Sequence, residues 1–310
     1  MVASKFLTLN TGARMPTLGF EKAVEIALKT GYRHIDTAAA YANEREVGEG
    51  IKASGVPREE IFLTTKLDNS AHRNPAEALQ KSLDALETPY LDLCTNSYLV
   101  CQLVPDPVYY VEGLMHWPCP SDPKTGKPDF EWSWLKTWQT MEELYKANPD
   151  KLKAIGVSNI SVDFMEELLK VATVVPAVNQ IELHPSCVQE DIVEMCRSKG
   201  IAVTAYSPLG SSDSPLMSNE VVKKLAEKHN VGPANILLSL QANRPGISVL
   251  TKSVTPERVV QNFTIIDLDD AEIQELHDIE KTHKFRACYP WWAGWGDIGF
   301  PDCKGKNPPQ

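Results

Sequence analysis

The chain has 310 residues, 43% of them hydrophobic and 23% charged, with a formal net charge of −10. That is enough apolar chain for a large core, as one barrel-type domain or as two smaller ones. The acidic balance argues against nucleic acid or an anionic membrane as the main partner, although a local cluster of Lys and Arg can still hold a small phosphorylated ligand.

In chain order, the N-terminus has no apolar core of a signal peptide, and Asn10-Thr11-Gly12 marks the turn of a small hairpin. TLGF at 17–20 reads as a first strand and runs directly into EKAVEIALKTG, whose Val24, Ala27 and Leu28 fall at helical spacing. RHID and IFLTTK are the next strand-like runs, followed by the helix-like PAEALQKSLDALE with Leu79, Leu83 and Leu86 on one face. The stretch 90–118, YLDLCTNSYLVCQLVPDPVYYVEGLMHWP, begins and ends like two pieces of one buried strand with an apolar segment between them. LKAIGVSN, AVNQIELHP, IAVTAYSPLG and ISVLTKS complete the strands, with helical VDFMEELLKVA and VVKKLAEKHN among them. Such short apolar runs suit strands buried on both faces.

Eight β/α units without a linker-like division predict a single (β/α)8 TIM barrel over 1–310, preceded by the β-hairpin and followed by a C-terminal tail at 284–310. A doubly wound sheet is the alternative, but no G-x-G-x-x-G follows the first strand, and Gly48-Glu49-Gly50 sits in a helical pattern. No apolar stretch is long enough to span a bilayer. The seven cysteines form no C-x-x-C pair, which suits reduced thiols better than disulfides or a zinc site. A cytoplasmic protein without a metal is expected.

The strand-like runs stop at polar residues: Asp36, Lys66, His116, Ser158-Asn159, Gln180, Tyr206-Ser207 and Lys252. In a barrel these positions meet at the C-terminal rim, where active sites of this fold lie. Asp36, Tyr41, Lys66 and His116 suggest one chemistry. A lysine ammonium about 4 Å from a tyrosine favours phenolate by about 4 kcal/mol, lowering the phenol from about 10 towards a proton donor's range. A carboxylate such as Asp36 keeps the lysine charged, and a neutral histidine can orient a carbonyl. The set fits protonation of a carbonyl oxygen while hydride reaches its carbon, and the hydride must come from a cofactor. Lys252, Ser253, Thr255, Arg258 and Asn262 suit a 2′-phosphate, pointing to NADPH over NADH. In YSPLGSS, Tyr206 is placed to stack under a nicotinamide, and Ser207, Leu209 and Ser211 to meet the pyrophosphate.

GYRHIDTAAAYANEREVGEGI, IFLTTKL, LMHWP, IGVSNI, PAVNQIELHP, TAYSPLGS and TKSVTPERVVQN together closely resemble the aldo-keto reductase family, and most of all its fungal NADP-dependent glycerol dehydrogenase/glyceraldehyde reductase branch. The resemblance implies reversible reduction of aldehydes and ketones with NADPH/NADP+, glyceraldehyde-type carbonyls included. It implies Tyr41 as proton donor, Lys66 and Asp36 as its tuning pair, and His116 as the residue orienting the carbonyl. It assigns Ser158, Asn159 and Gln180 to the nicotinamide amide and Tyr206 to the ring face. Trp117 would line the substrate pocket, with Trp291 and Trp292 in the tail as its outer wall. Gln261 stands where the family usually has an acidic residue. The partner expected is a small carbonyl or alcohol, acted on by a monomer, with neither nucleic acid nor membrane involved.

Two features depart from that pattern. The first βα loop is truncated, since Phe20 runs straight into Glu21 with no Ser, Thr, Asp or Asn in the N-cap place. The segment Cys94–Gly113 is an insertion in the fourth strand, where the family has a single residue between YLDL and LMHWP. Either 90–93 or 108–116 can then fill the fourth strand position, not both in their normal register. These departures motivate an alternative, a catalytically impaired NADPH-binding barrel that acts as a sensor or subunit.

Overall fold

The computed structural model describes residues 6–20, 23–95, 117–211 and 214–305. His116 and residues 96–113 of the insertion lie outside these, as do the side chains of Thr95 and Trp292.

β1 (Phe6–Thr8) and β2 (Arg14–Pro16) form the antiparallel hairpin, with Leu7 opposite Met15. Its turn uses Gly12 at φ 85°, a left-handed conformation that costs glycine little. Leu9 and Met15 pack on Phe62, Leu93, Val178 and Ala202, at the starts of barrel strands, so the hairpin plugs the N-terminal end. Chemistry is left to the opposite rim.

The barrel strands are β3 (Leu18–Phe20), β4 (His34–Asp36), β5 (Phe62–Lys66), β6 (Leu93–Thr95), β7 (Val157–Ser158), β8 (Val178–Glu182), β9 (Ala202–Tyr206) and β10 (Ile247–Thr251). They lie in the order β6-β5-β4-β3-β10-β9-β8-β7, each neighbouring pair parallel. The ring closes through parallel bridges Leu91–Leu152 and Cys94–Ile155, with Cys94 N donating to Ala154 O at 3.1 Å and Gly156 N to Cys94 O at 3.0 Å. Every residue of β5, β8, β9 and β10 is buried, as parallel strands flanked by helices require.

Outside the ring are α1 (Val24–Thr30), α2 (Glu44–Ser54), α3 (Pro75–Ala85), α4 (Trp134–Ala147), α5 (Val162–Val171), α6 (Glu190–Ser198), α7 (Glu220–His229), α8 (Pro233–Ala242), α9 (Pro256–Asn262) and α10 (Asp270–His277). Ser133, Ser161, Asn219 and Asp269 cap α4, α5, α7 and α10 with side-chain oxygens. Gly48 lies within α2. A Cβ there would stand 2.6 Å from the Leu86 carbonyl oxygen, so this glycine serves helix packing rather than a phosphate loop. No helix among the described residues is long and apolar enough to cross a membrane.

Both departures have structural outcomes. α1 begins at Val24, later than the apolar pattern suggested, behind an uncapped Ala23 at φ 48°. Ala23 stands outside the helix, which has seven residues. In the fourth strand, Leu93 pairs with Thr64, Cys94 with Thr65 and Thr95 with Lys66. Cys94 and Thr95, the first two residues of the segment read as an insertion, thus continue the strand from YLDL. Leaving the facing edge of β5 unpaired in the barrel wall would be costly, and these two residues suit a strand.

Candidate active site

β4 delivers Asp36 and β5 delivers Lys66 to the C-terminal rim, both side chains wholly buried. Buried charge is expensive unless paired and fully hydrogen-bonded. The Lys66 ammonium meets that condition. It donates to Asp36 Oδ1, to the Thr37 carbonyl at 2.8 Å and to the Tyr41 phenol oxygen at 3.5 Å. Those acceptors match an ammonium's three protons. Tyr41 ends a 3-10 turn, Ala39–Tyr41, that follows β4, and its side chain is only partly buried. Its oxygen is thus held against the lysine while the residue stays at the mouth.

Asp36 Oδ2 accepts from Gln180 Nε2 on β8 at 3.0 Å, across the barrel. Burial pushes the Asp36 carboxyl above its ordinary value, and the Lys66 ammonium and Gln180 amide pull it back. The Gln180 carbonyl in turn accepts from Ser158 Oγ at 2.5 Å and from Asn159 N at 3.0 Å. Asn159, at φ 54°, turns its Oδ1 to accept from the Tyr206 hydroxyl at 2.8 Å. Burial pushes the Tyr206 phenol well above its ordinary value, which keeps it a donor there. Asp36, Tyr41, Lys66, Ser158, Asn159, Gln180 and Tyr206 are therefore one connected set. Near it, His34 Nε2 lies 3.2 Å from Thr64 Oγ1, and burial together with the Lys66 charge holds the imidazole down at about 3. It is neutral at physiological pH and adds no second cation beside Lys66.

Around the rim, Lys252 follows β10, and Arg258 lies on α9; both are exposed, with no ion-pair partner among the described residues. Between them Ser253 Oγ accepts from Thr255 N at 3.0 Å. Asn262 behaves differently from this group: buried, it donates through Nδ2 to Thr251 Oγ1 at 2.9 Å and ties α9 to the end of β10. In the loop after β9, Ser207 adopts φ 48° and its carbonyl accepts from Gly210 N at 2.8 Å, with Leu209 inside that turn and Ser211 just after it.

On the substrate side, Trp117 is buried edge-on against Phe300, ring centroids 5.8 Å apart. Trp291 stacks on Tyr289 at 4.4 Å. Trp292 belongs to the 3-10 turn Pro290–Ala293. β8 runs past Gln180 to Glu182, a wholly buried carboxylate on the same rim. The strand-end rule that found Asp36 and Lys66 would have found Glu182 with the strand drawn two residues longer. The Thr37 carbonyl and the Gln180–Asp36 bond had no local signal. Among the described residues no group of three or more His, Cys, Asp or Glu is placed to hold a metal ion.

A sequence model of the aldo/keto reductase family matches residues 9–281. Aldehyde reductase YPR1 of Saccharomyces cerevisiae is 43% identical over 310 residues, which cover 91% of this chain and 92% of that one. Glycerol 2-dehydrogenase (NADP(+)) of the same yeast is 42% identical over 308 residues, 94% of this chain and 96% of its own. Among solved structures, a Bombyx mori aldo-keto reductase in complex with NADP superposes with a TM-score of 0.81 at 30% identity, covering 97% of this chain and all of that one (100%).

Proposed function

The chain belongs to the aldo/keto reductase family, and from that premise we propose that it reduces aldehydes and ketones to alcohols with NADPH, reversibly. The observation that carries the reading is the Lys66 ammonium, saturated by Asp36 and the Thr37 carbonyl and aimed at the Tyr41 oxygen on an open rim. That an aldehyde reductase and a glycerol 2-dehydrogenase (NADP(+)) are among its relatives points to small carbonyls such as glyceraldehyde and its ketone isomer dihydroxyacetone.

The residues present fit a nicotinamide dinucleotide phosphate. Exposed Lys252 and Arg258, without ion-pair partners among the described residues, and the Ser253-Thr255 turn suit the 2′-phosphate. Ser207, Leu209 and Ser211 would hold the pyrophosphate, Ser158, Asn159 and Gln180 the carboxamide, and Tyr206 the ring face. NADPH, when bound, supplies hydride to the carbonyl carbon. Tyr41 gives its phenolic proton to the carbonyl oxygen, and Lys66 stabilises the phenolate that remains; alcohol oxidation runs the same transfer backwards. Asp36 pairs with the ammonium, and Gln180 fixes the carboxylate from the opposite wall. His116, by its place in LMHWP, takes the role of orienting the carbonyl, while Trp117, Trp291 and Trp292 bound the substrate. We read the chain as one barrel domain with a tail from 284, working as a cytoplasmic monomer without nucleic acid, in keeping with its net charge of −10.

The test is direct. The purified chain is given NADPH and glyceraldehyde, and NADPH absorbance is followed. Loss of absorbance matched by glycerol formation supports the reading. NADPH binding without turnover on glyceraldehyde or any other small aldehyde or ketone contradicts it.

A further inference from the structure

We propose that Glu182 is a positioning residue that sets which carbonyls the enzyme accepts, by pinning the C-terminal tail across the barrel mouth. The inference rests on the carbonyl-reductase reading above. Glu182 ends β8, two residues beyond Gln180, and alternate residues of a strand share a face. Its side chain therefore stands about 7 Å above the amide that holds Asp36.

Its oxygens are engaged by the tail. Oε1 accepts from Ala287 N at 2.6 Å and from His184 Nε2 at 2.8 Å, and Oε2 accepts from Cys288 N at 2.8 Å. His184 Nδ1 accepts from Ser186 N at 3.2 Å, which places the ring proton on Nε2, facing the carboxylate. The Ser186 carbonyl receives Phe285 N at 3.0 Å, and the Phe285 ring stacks on His184 at 4.7 Å. Arg286 continues the clamp, donating to Gln189 Oε1 at 2.6 Å and to both oxygens of Asp302 at 2.7 and 3.0 Å.

From this anchor the tail passes over the loops that follow other barrel strands. Trp295 Nε1 donates to the Pro120 carbonyl at 3.2 Å, and Ser161 Oγ donates to the Ile298 carbonyl at 2.9 Å. The segment between carries Tyr289 and Trp291. Hydrogen bonds to a buried carboxylate are charge-assisted, and its loss would leave two successive main-chain amides without their acceptor. The carboxylate is placed to fix the height and angle of the aromatic wall, and so the room left for the substrate's substituent.

The test uses the full chain. Glu182→Gln turns an N–H2 group towards amide donors. Amide hydrogen exchange in peptides covering 285–295 is expected to quicken by about tenfold or more, the size set by losing a charge-assisted hydrogen bond. KM for an aryl aldehyde is expected to change by about fivefold or more, while KM and kcat for glyceraldehyde and the NADPH Kd stay within about twofold. Ala287→Pro removes one donor from the tail side and leaves the barrel rim intact; it should reproduce the split, and decides the matter should the Glu182 variant not fold. Combining the two should add little to either alone. Unchanged tail exchange overturns the proposal, as does an equal KM change for both aldehydes. A wild-type chain that turns over neither aldehyde refutes the activity reading and the specificity claim with it, whereas the exchange arm still reads whether the tail is pinned.

Discussion

The Lys66 ammonium stands 3.5 Å from the Tyr41 phenol oxygen, with its other hydrogen bonds made to Asp36 and the Thr37 carbonyl. At that separation and an effective dielectric of about 20, it favours the phenolate by about 5 kcal/mol before the opposing Asp36 charge is counted. Alcohol oxidation needs the phenolate. Lys66→Met should therefore shift the rise of oxidation rate to higher pH by about two pH units or more. An unshifted profile in a folded variant that still binds NADP+ would mean that the lysine does not tune the tyrosine.

Arg258 and Lys252 are exposed beside the Ser253-Thr255 turn. Arg258→Ala should raise the NADPH Kd by about tenfold, the scale of one charge-assisted contact. The NADH Kd should stay within about twofold, since NADH lacks the 2′-phosphate. Equal weakening of both nucleotides would place the 2′-phosphate elsewhere.

His34 makes the fold sensitive to mild acid. Unfolded, its imidazole takes a proton below about 6.5; folded, it resists down to about 3 because of burial and the Lys66 charge. Its folded value is depressed, so its contribution is complete above about pH 6.5 and is lost progressively as pH falls towards the folded value. Between pH 7 and 5 the loss is about 2 kcal/mol. Urea midpoints of wild type and His34→Asn should differ in their pH slope over this range, the wild type falling more steeply. Parallel slopes would show that His34 takes up its proton alike in the folded and unfolded states, so that burial does not hold it neutral.

Cys94 and Thr95 already pair with Thr65 and Lys66 in the fourth strand. Excising 95–113 joins Cys94 to Leu114, which then takes the place opposite Lys66 and brings His116 two residues further on, at the rim. The excised variant should show kcat/KM for glyceraldehyde higher by about tenfold or more, the scale of a placed hydrogen-bonding group. A folded, NADPH-binding variant with unchanged or lower turnover would show that the segment does not hinder the site.

Much of this site was legible because a parallel barrel turns one-dimensional information into position. Where an apolar run ends in Asp36, Lys66, Ser158 or Tyr206, the residue stands on the rim whatever its neighbours are. The same rule missed Glu182 because Ile181 between two polar residues made Gln180 look like the strand's last member. The bond between Gln180 and Asp36 joins residues 144 apart in sequence, and only closure of the ring brings them together. The late start of α1 was foreshadowed by the missing N-cap where Phe20 runs into Glu21, although not its extent. The bond from Asn262 Nδ2 to Thr251 Oγ1 likewise had no local signal, since only the packing of α9 on the end of β10 brings the two together.

The central claim is that Tyr41 is the proton donor of an NADPH-dependent carbonyl reduction, and Tyr41→Phe tests it most directly, with turnover on glyceraldehyde and the NADPH Kd measured on the same preparation. The expected result is a fall in kcat of about 10²–10⁴-fold with the NADPH Kd within about twofold of wild type. Turnover equal to wild type would contradict the account.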